Sequence, residues 1–192
     1  KDIHDGKAAL VLTYTVYPDG KLNVAYDLAI SENMLEPLRV GLQGQLAGNC
    51  NKITYFGRGP QENYSDRCAG IFMGTWTSTV EDMMTQYVFP QENGNRTAVR
   101  WIKLADAKGR GVLVKGERPL SVSVWNTTQQ QLHDSKHIGE PQVLEDAVVL
   151  NVDLVQAGVG GTDTWSQYAR PYDQYRLLQK HYAYSFTLQP SK

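Results

Sequence analysis

The chain has 192 residues and a formal net charge of −1, with 41% apolar and 20% charged residues. That is the composition of a globular domain long enough to bury roughly 70% of its unfolded surface. Scattered lysines and arginines exclude the basic patch of a nucleic-acid binder, and no apolar run approaches the ~20 residues that cross a bilayer.

Period-two alternation begins early and recurs to the end of the chain, which is the pattern of half-buried strands. Leu10–Val16 and Leu22–Ile30 form the first pair, joined by Pro18-Asp19-Gly20. Shorter runs follow at Ile53–Phe56 and Ala98–Leu104, then at Gly111–Val114 and Leu120–Trp125, with Lys108-Gly109-Arg110-Gly111 as a turn. Gln129–Ile138 reads as a short helix capped by Thr127 or Thr128. The last strands carry Val148, Leu150, Val152 and Leu154, then Tyr182, Tyr184, Phe186 and Leu188, with the glycine-rich Gly158–Gly161 between them. Many strands, turn-rich joins and at most one or two short helices predict an all-β antiparallel sandwich. No linker interrupts the chain, so residues 1–192 are read as a single domain. It opens on Lys1 without Met, and an early strand and any targeting segment are expected upstream.

One tetrapeptide occurs twice: Pro60-Gln61-Glu62-Asn63 and Pro90-Gln91-Glu92-Asn93. A structural repeat should extend past four letters, and here the flanks do not match. Both copies are read as loops leaving a strand, with Pro fixing φ and Asn suiting a turn. Glu62 and Glu92 could form the carboxyl pair of a glycosidase, but nothing in the sequence faces them toward each other. The simpler reading is loop carboxylates bonded to backbone N–H groups or to arginines such as Arg58 and Arg96. Arg58 and Arg67 are expected to pair with Glu62 or Asp66.

Cys50 and Cys68 lack metal-ligand spacing and are expected to be free thiols. Trp76, Trp101 and Trp125 lie in or beside strand runs and are assigned to packing. His133 and His137 would share a helical face but lack a third ligand, so they are read as surface polar groups. Three Asn-x-Ser/Thr matches, at Asn63, Asn95 and Asn126, are treated as incidental.

Tyr55-Phe56-Gly57-Arg58-Gly59-Pro60-Gln61-Glu62-Asn63-Tyr64-Ser65-Asp66-Arg67 resembles a block of the C-terminal (small-chain type) domain of glycoside hydrolase family 2 β-galactosidases. Tyr87-Val88-Phe89-Pro90-Gln91-Glu92-Asn93-Gly94-Asn95-Arg96 resembles that domain's next block, and Gly158-Val159-Gly160-Gly161-Thr162-Asp163-Thr164-Trp165-Ser166 a third. All three stand in the family's order, and the similarity runs from about Lys7 to the end. The resemblance implies a large antiparallel β-supersandwich of the galactose mutarotase type. It also implies that the catalytic glutamates and the metal ligands, for Mg and Na, sit in a preceding (β/α)₈ barrel. This chain would then carry no catalytic residue, metal ligand or cofactor site, and would be inactive alone. The family's tryptophan that stacks on the non-galactose half of the substrate corresponds to Trp165. Asp163 and Ser166 are read as loop-shaping groups.

Three readings follow. In the first, the chain is a β-galactosidase domain that completes the substrate pocket with Trp165 and supports the barrel as its partner. In the second, it is an autonomous carbohydrate-binding module, which would need a complete concave site. In the third, it is an aldose epimerase with His133 or His137 facing Glu92 or Glu145. Cytoplasm and periplasm both fit. A homo-oligomer is also expected, since a missing early strand would leave a sheet edge open to a second copy.

Overall fold

The structure is a computed structural model that describes residues 2–3, 7–161 and 169–191. The described strands are β1 (Asp2–Ile3), β2 (Ala8–Val16), β3 (Leu22–Ile30), β4 (Arg39–Ala47), β5 (Lys52–Gly59), β6 (Phe72–Thr79), β7 (Arg96–Ala105), β8 (Gly111–Trp125), β9 (Ala147–Gln156) and β10 (His181–Ser191). Two short helices, α1 (Val80–Met83) and α2 (Gln129–Asp134), complete an all-β, antiparallel molecule.

The layout follows from one long strand. From Gly111 to Val122, with two breaks in register, β8 keeps β7 on one side, and β7 is followed by β5 and β6. On its other side β8 pairs with β10 over residues 111–116 and with β9 over residues 121–125. The sheet therefore splits into a long arm, β10-β3-β2-β1, and a short arm, β9-β4. The sequence reads β8 as two strands because Gly116 and Pro119 interrupt it. They fall where the strand changes neighbours, and Pro119, which has no N–H to donate, sits in the stretch bonded to neither arm.

The two arms face each other across the main core. Val24, Tyr26, Leu28 and Ile30 of β3 and Tyr182, Tyr184 and Phe186 of β10 meet Val148, Leu150 and Val152 of β9 and Val40 of β4 in one buried cluster. Tyr184 Oη donates to the Val152 carbonyl at 2.7 Å and ties the arms together. On the outer face of the short arm, Val149 packs with Trp125 and Leu132. The rest of that face is polar, and the candidate site lies on it.

Helix α2 starts as expected, with Thr128 as N-cap and Gln131 completing a capping box. It ends at Asp134, short of the expected Ile138, because the backbone N–H groups of Lys136 and His137 turn to Glu140 Oε2 at 2.7 and 3.1 Å. His133 and His137 therefore do not share a helical face, and His137 pairs with Glu140.

Candidate functional site

The two PQEN copies are built alike locally and placed differently. In each, the Asn side-chain amide donates to the Gln carbonyl two residues back, at 2.9 Å for Asn63 and 3.0 Å for Asn93. The first copy leaves strand β5 as expected. The second does not leave a strand: residues 84–95 are irregular and lead into β7. Because β5 and β7 are neighbours, the copies lie against each other. Asn63 N–H donates to the Asn95 carbonyl and Asn95 Nδ2 to the Asn63 carbonyl, both at 2.8 Å.

Glu62 is the centre of this junction. Its Oε2 accepts from Gly94 N–H at 2.7 Å, and its Oε1 accepts from Arg67 and from the Tyr87 hydroxyl. Burial pushes its pKa up, but the Tyr87 and Gly94 bonds, aided by Arg67, outweigh burial and hold it below the usual value. Arg67 is the expected partner. Arg58 is not: its guanidinium donates to Cys68 Sγ at 3.3 Å. Arg96 also differs from expectation. It is buried, and its Nη1 donates to the carbonyls of Gly94, Asn95 and Met83 while Nε donates to Tyr55 Oη. Its charge is met by carbonyl dipoles and a hydroxyl, and among the described residues no carboxylate pairs with it.

Glu92 meets a different environment. It reaches the polar outer face of the short arm, where Asp153 and Asn151 of β9 stand beside Ser121 and Ser123 of β8 and Gly41 and Gln43 of β4. Arg39 spans this row. Its Nε donates to Asp153 Oδ2 at 2.8 Å, its Nη1 to Glu92 Oε2 at 3.3 Å and its Nη2 to Ser123 Oγ at 3.2 Å, and its guanidinium lies 5.4 Å from the centroid of the Trp125 ring. Gln156 Nε2 adds a bond to Asp153 Oδ2 at 3.2 Å. Gly41 makes room for Asp153, since an added Cβ would stand 1.9 Å from its Oδ1. Two carboxylates thus share one guanidinium in a poorly hydrated place. Burial pushes Glu92 up to about 7 and Asp153 to about 6, only partly opposed by Arg39.

The third family block begins beside the first. Gly160 N–H donates to Asp66 Oδ2 at 2.7 Å, and Gly158 N–H to the Tyr175 carbonyl at 2.8 Å. Asp66 thus caps the glycine segment, where the sequence pairs it with an arginine. A Cβ at Gly158 would stand 2.5 Å from Asp66 Oδ2, so a larger residue there would have to displace the Asp66 side chain. Trp165, with Asp163 and Ser166, lies outside the described residues.

Of the other tryptophans, Trp125 is fully buried, Trp76 is half-buried against the core with its indole N–H on the Gly57 carbonyl, and Trp101 is half-buried. Both cysteines are free. Among the described residues no three His, Cys, Asp or Glu side chains gather to hold a metal ion. Glu92 and His133 border one cleft, whereas Glu145 does not line it. Sequence reasoning missed Arg39 and Asp153. The signal for Asp153 was present, because it is the one charge inside the apolar run from Val148 to Leu154. Arg39 carried no comparable mark.

Fold and site define an antiparallel β-sandwich domain in which the two PQEN loops meet at Glu62 and the second loop brings Glu92 to Arg39 and the buried Asp153. Residues 3–188 match the family model of the beta galactosidase small chain, and the chain belongs to that family. A beta-galactosidase of Priestia megaterium is 34% identical over 184 residues, covering 95% of this chain and 18% of that protein. One from Vibrio cholerae is 35% identical over 175 residues (91% and 16%), and one from Halalkalibacterium halodurans 38% over 169 residues (85% and 16%). The chain therefore spans less than a fifth of the length of these relatives.

Proposed function

We propose that the chain acts as the C-terminal domain of a β-galactosidase, presenting Trp165 as an aromatic platform for the non-galactose half of a β-galactoside. Hydrolysis belongs to a barrel domain of the same enzyme, by a retaining mechanism with two glutamates and with any Mg or Na held there. The observation that carries this reading is the clamp of Gly158 and Gly160 onto Asp66 and Tyr175. It fixes the described start of the segment that bears Trp165 to Asp66, three residues past the first PQEN loop, and to Tyr175. The stacking chemistry fits: an indole face is apolar and rigid, and one face of a pyranose is a row of C–H groups whose edge hydroxyls remain free to bond elsewhere. Holding the leaving sugar in register aligns the scissile bond with the acid and the nucleophile.

The test is inhibition and turnover in a β-galactosidase carrying this domain. Trp165→Ala is expected to raise KM for lactose and weaken inhibition by glucose about tenfold, with inhibition by galactose unchanged. Equal loss for both monosaccharides, or no loss for either, would sink the assignment of Trp165 to the non-galactose half.

A further inference from the structure

We propose that the outer edge of β2 is a docking site for a second copy of this chain, which adds its own β2 antiparallel across a twofold axis at Tyr14. It uses none of the residues assigned to the Trp165 platform and does not depend on that reading.

The β2–β3 ladder fixes what this edge offers. Tyr17 N–H donates to the Lys21 carbonyl at 2.9 Å and Ser31 N–H to the Lys7 carbonyl at 2.8 Å, at opposite ends of an unbroken register. Bonding sides alternate along an antiparallel strand. Val11, Thr13 and Thr15 therefore turn their N–H and C=O groups to β3, and Leu12, Tyr14 and Val16 turn theirs away. On that outer side β1 pairs with Ala8 and Ala9, and among the described residues no strand pairs with Val11–Val16. Natural sheet edges are guarded by charge, proline or a bulge. This one has no charged residue or proline from Ala8 to Tyr17, and no bulge. Val16 is 76% exposed and Tyr14 58%, and Val11 and Tyr17 are exposed as well.

The edge is its own complement. With Tyr14 opposite Tyr14 of the second copy, Leu12 falls opposite Val16 and Val16 opposite Leu12, so each outward-turned residue exchanges backbone bonds with another. On one face Leu12, which already packs against the core, meets Val16; on the other Val11 meets Tyr17 and Thr13 meets Thr15. No charge opposes a like charge. The second strand runs into its own turn at Pro18 before it reaches the residues paired with β1. Covering Val11, Tyr14, Val16 and Tyr17 removes on the order of 1,000 Å² from the two copies together, the low end for a specific interface. The other edges open among the described residues do not match themselves in this way. Strand β4 carries Arg39 and two glutamines. The exposed Phe72 and Met73 of β6 both lie at one end of their strand, where a twofold partner would set them against Thr79 and Ser78.

The experiment is sedimentation equilibrium of the purified chain up to about 200 μM, with a monomer–dimer transition expected at roughly 10 μM. Tyr14→Lys sets two ammonium groups against each other at the axis and should weaken dimerisation about a hundredfold or more. Tyr14 is exposed and its N–H does not serve the β2–β3 ladder, so the variant should keep the parent's far-UV spectrum. In a background of Cys50→Ser and Cys68→Ser, Tyr14→Cys should form a disulfide-linked dimer on mild oxidation, because opposed bonded residues of antiparallel strands stand about 5.5 Å apart at Cα. Val11→Cys, far from its own copy in this register, should not. A monomer at every concentration, a dimer that survives Tyr14→Lys, or equal cross-linking of the two cysteine variants overturns the proposal. So does a Tyr14→Cys thiol that stays uncross-linked and shielded from maleimide in a full-length β-galactosidase carrying this domain, which would give the edge to a strand of the same polypeptide. None of these results bears on the Trp165 reading.

Discussion

Glu62 and Glu92 occupy the same place in the same tetrapeptide, 30 positions apart, and the fold gives them opposite electrostatics. Glu62 receives a backbone N–H, a phenol and an arginine of its own, and its pKa falls. Glu92 receives part of one arginine already committed to Asp153, and its pKa rises to about 7. Their letters are identical, so the difference comes entirely from which strands the loops join. One carboxylate staples two loops together; the other shares Arg39 with Asp153, and its second oxygen is buried without a hydrogen bond of normal geometry.

The contrast is most exposed to failure at Arg39. Arg39→Ala leaves Asp153 and Glu92 without their shared cation, and about 3 kcal/mol of stability should be lost at pH 8. The loss should shrink at pH 5, because both carboxyls can then take up protons. Denaturant unfolding at the two pH values checks this, and a pH-independent loss would contradict it.

The two glutamates themselves give a smaller and more selective test. Glu62 has a lowered pKa, so its contribution is present above its unfolded value near 4.5 and is lost as pH falls through the folded value. Glu62→Gln should therefore cost about 2 kcal/mol at neutral pH and less in acid. Glu92 has a raised pKa, so between about 4.5 and 7 the native state binds the extra proton, and stability falls as pH rises through that window. Glu92→Gln should stabilise the protein by about 1 kcal/mol at pH 8 and change little near pH 5. Thermal unfolding of both variants against pH reads out the two signs, and parallel curves for the two variants would refute the distinction.

The strongly alternating strands were readable in advance. The burial pattern of β3 repeats its sequence pattern, and β10 and the core face of β9 behave likewise. Strand β4 escaped because Gly41, Gln43, Gly44 and Gln45 break its apolar alternation, which follows from one face being polar and its edge being open. Strand β6 escaped for a related reason: among the described residues it pairs only with β5, and it leaves Phe72 79% exposed, so its sequence carries little burial signal. The local turn of each PQEN copy was implicit in Pro and Asn. Their contact with one another was not, since it depends on β5 lying next to β7, a pairing of strands about forty residues apart that no local pattern encodes. Arg39 was hidden for the same reason, because its partners come from β9, β8 and the second loop.

The central functional claim is that this chain completes a β-galactosidase and does not hydrolyse by itself. The most direct measurement is turnover of nitrophenyl β-galactoside and lactose by the purified chain alone, and then by a β-galactosidase barrel that lacks its own C-terminal domain, before and after this chain is joined to it. The account predicts no turnover by the chain alone and a gain of lactose hydrolysis on joining, a gain that Trp165→Ala reduces. Turnover by the chain alone, or a barrel indifferent to its presence, would contradict it.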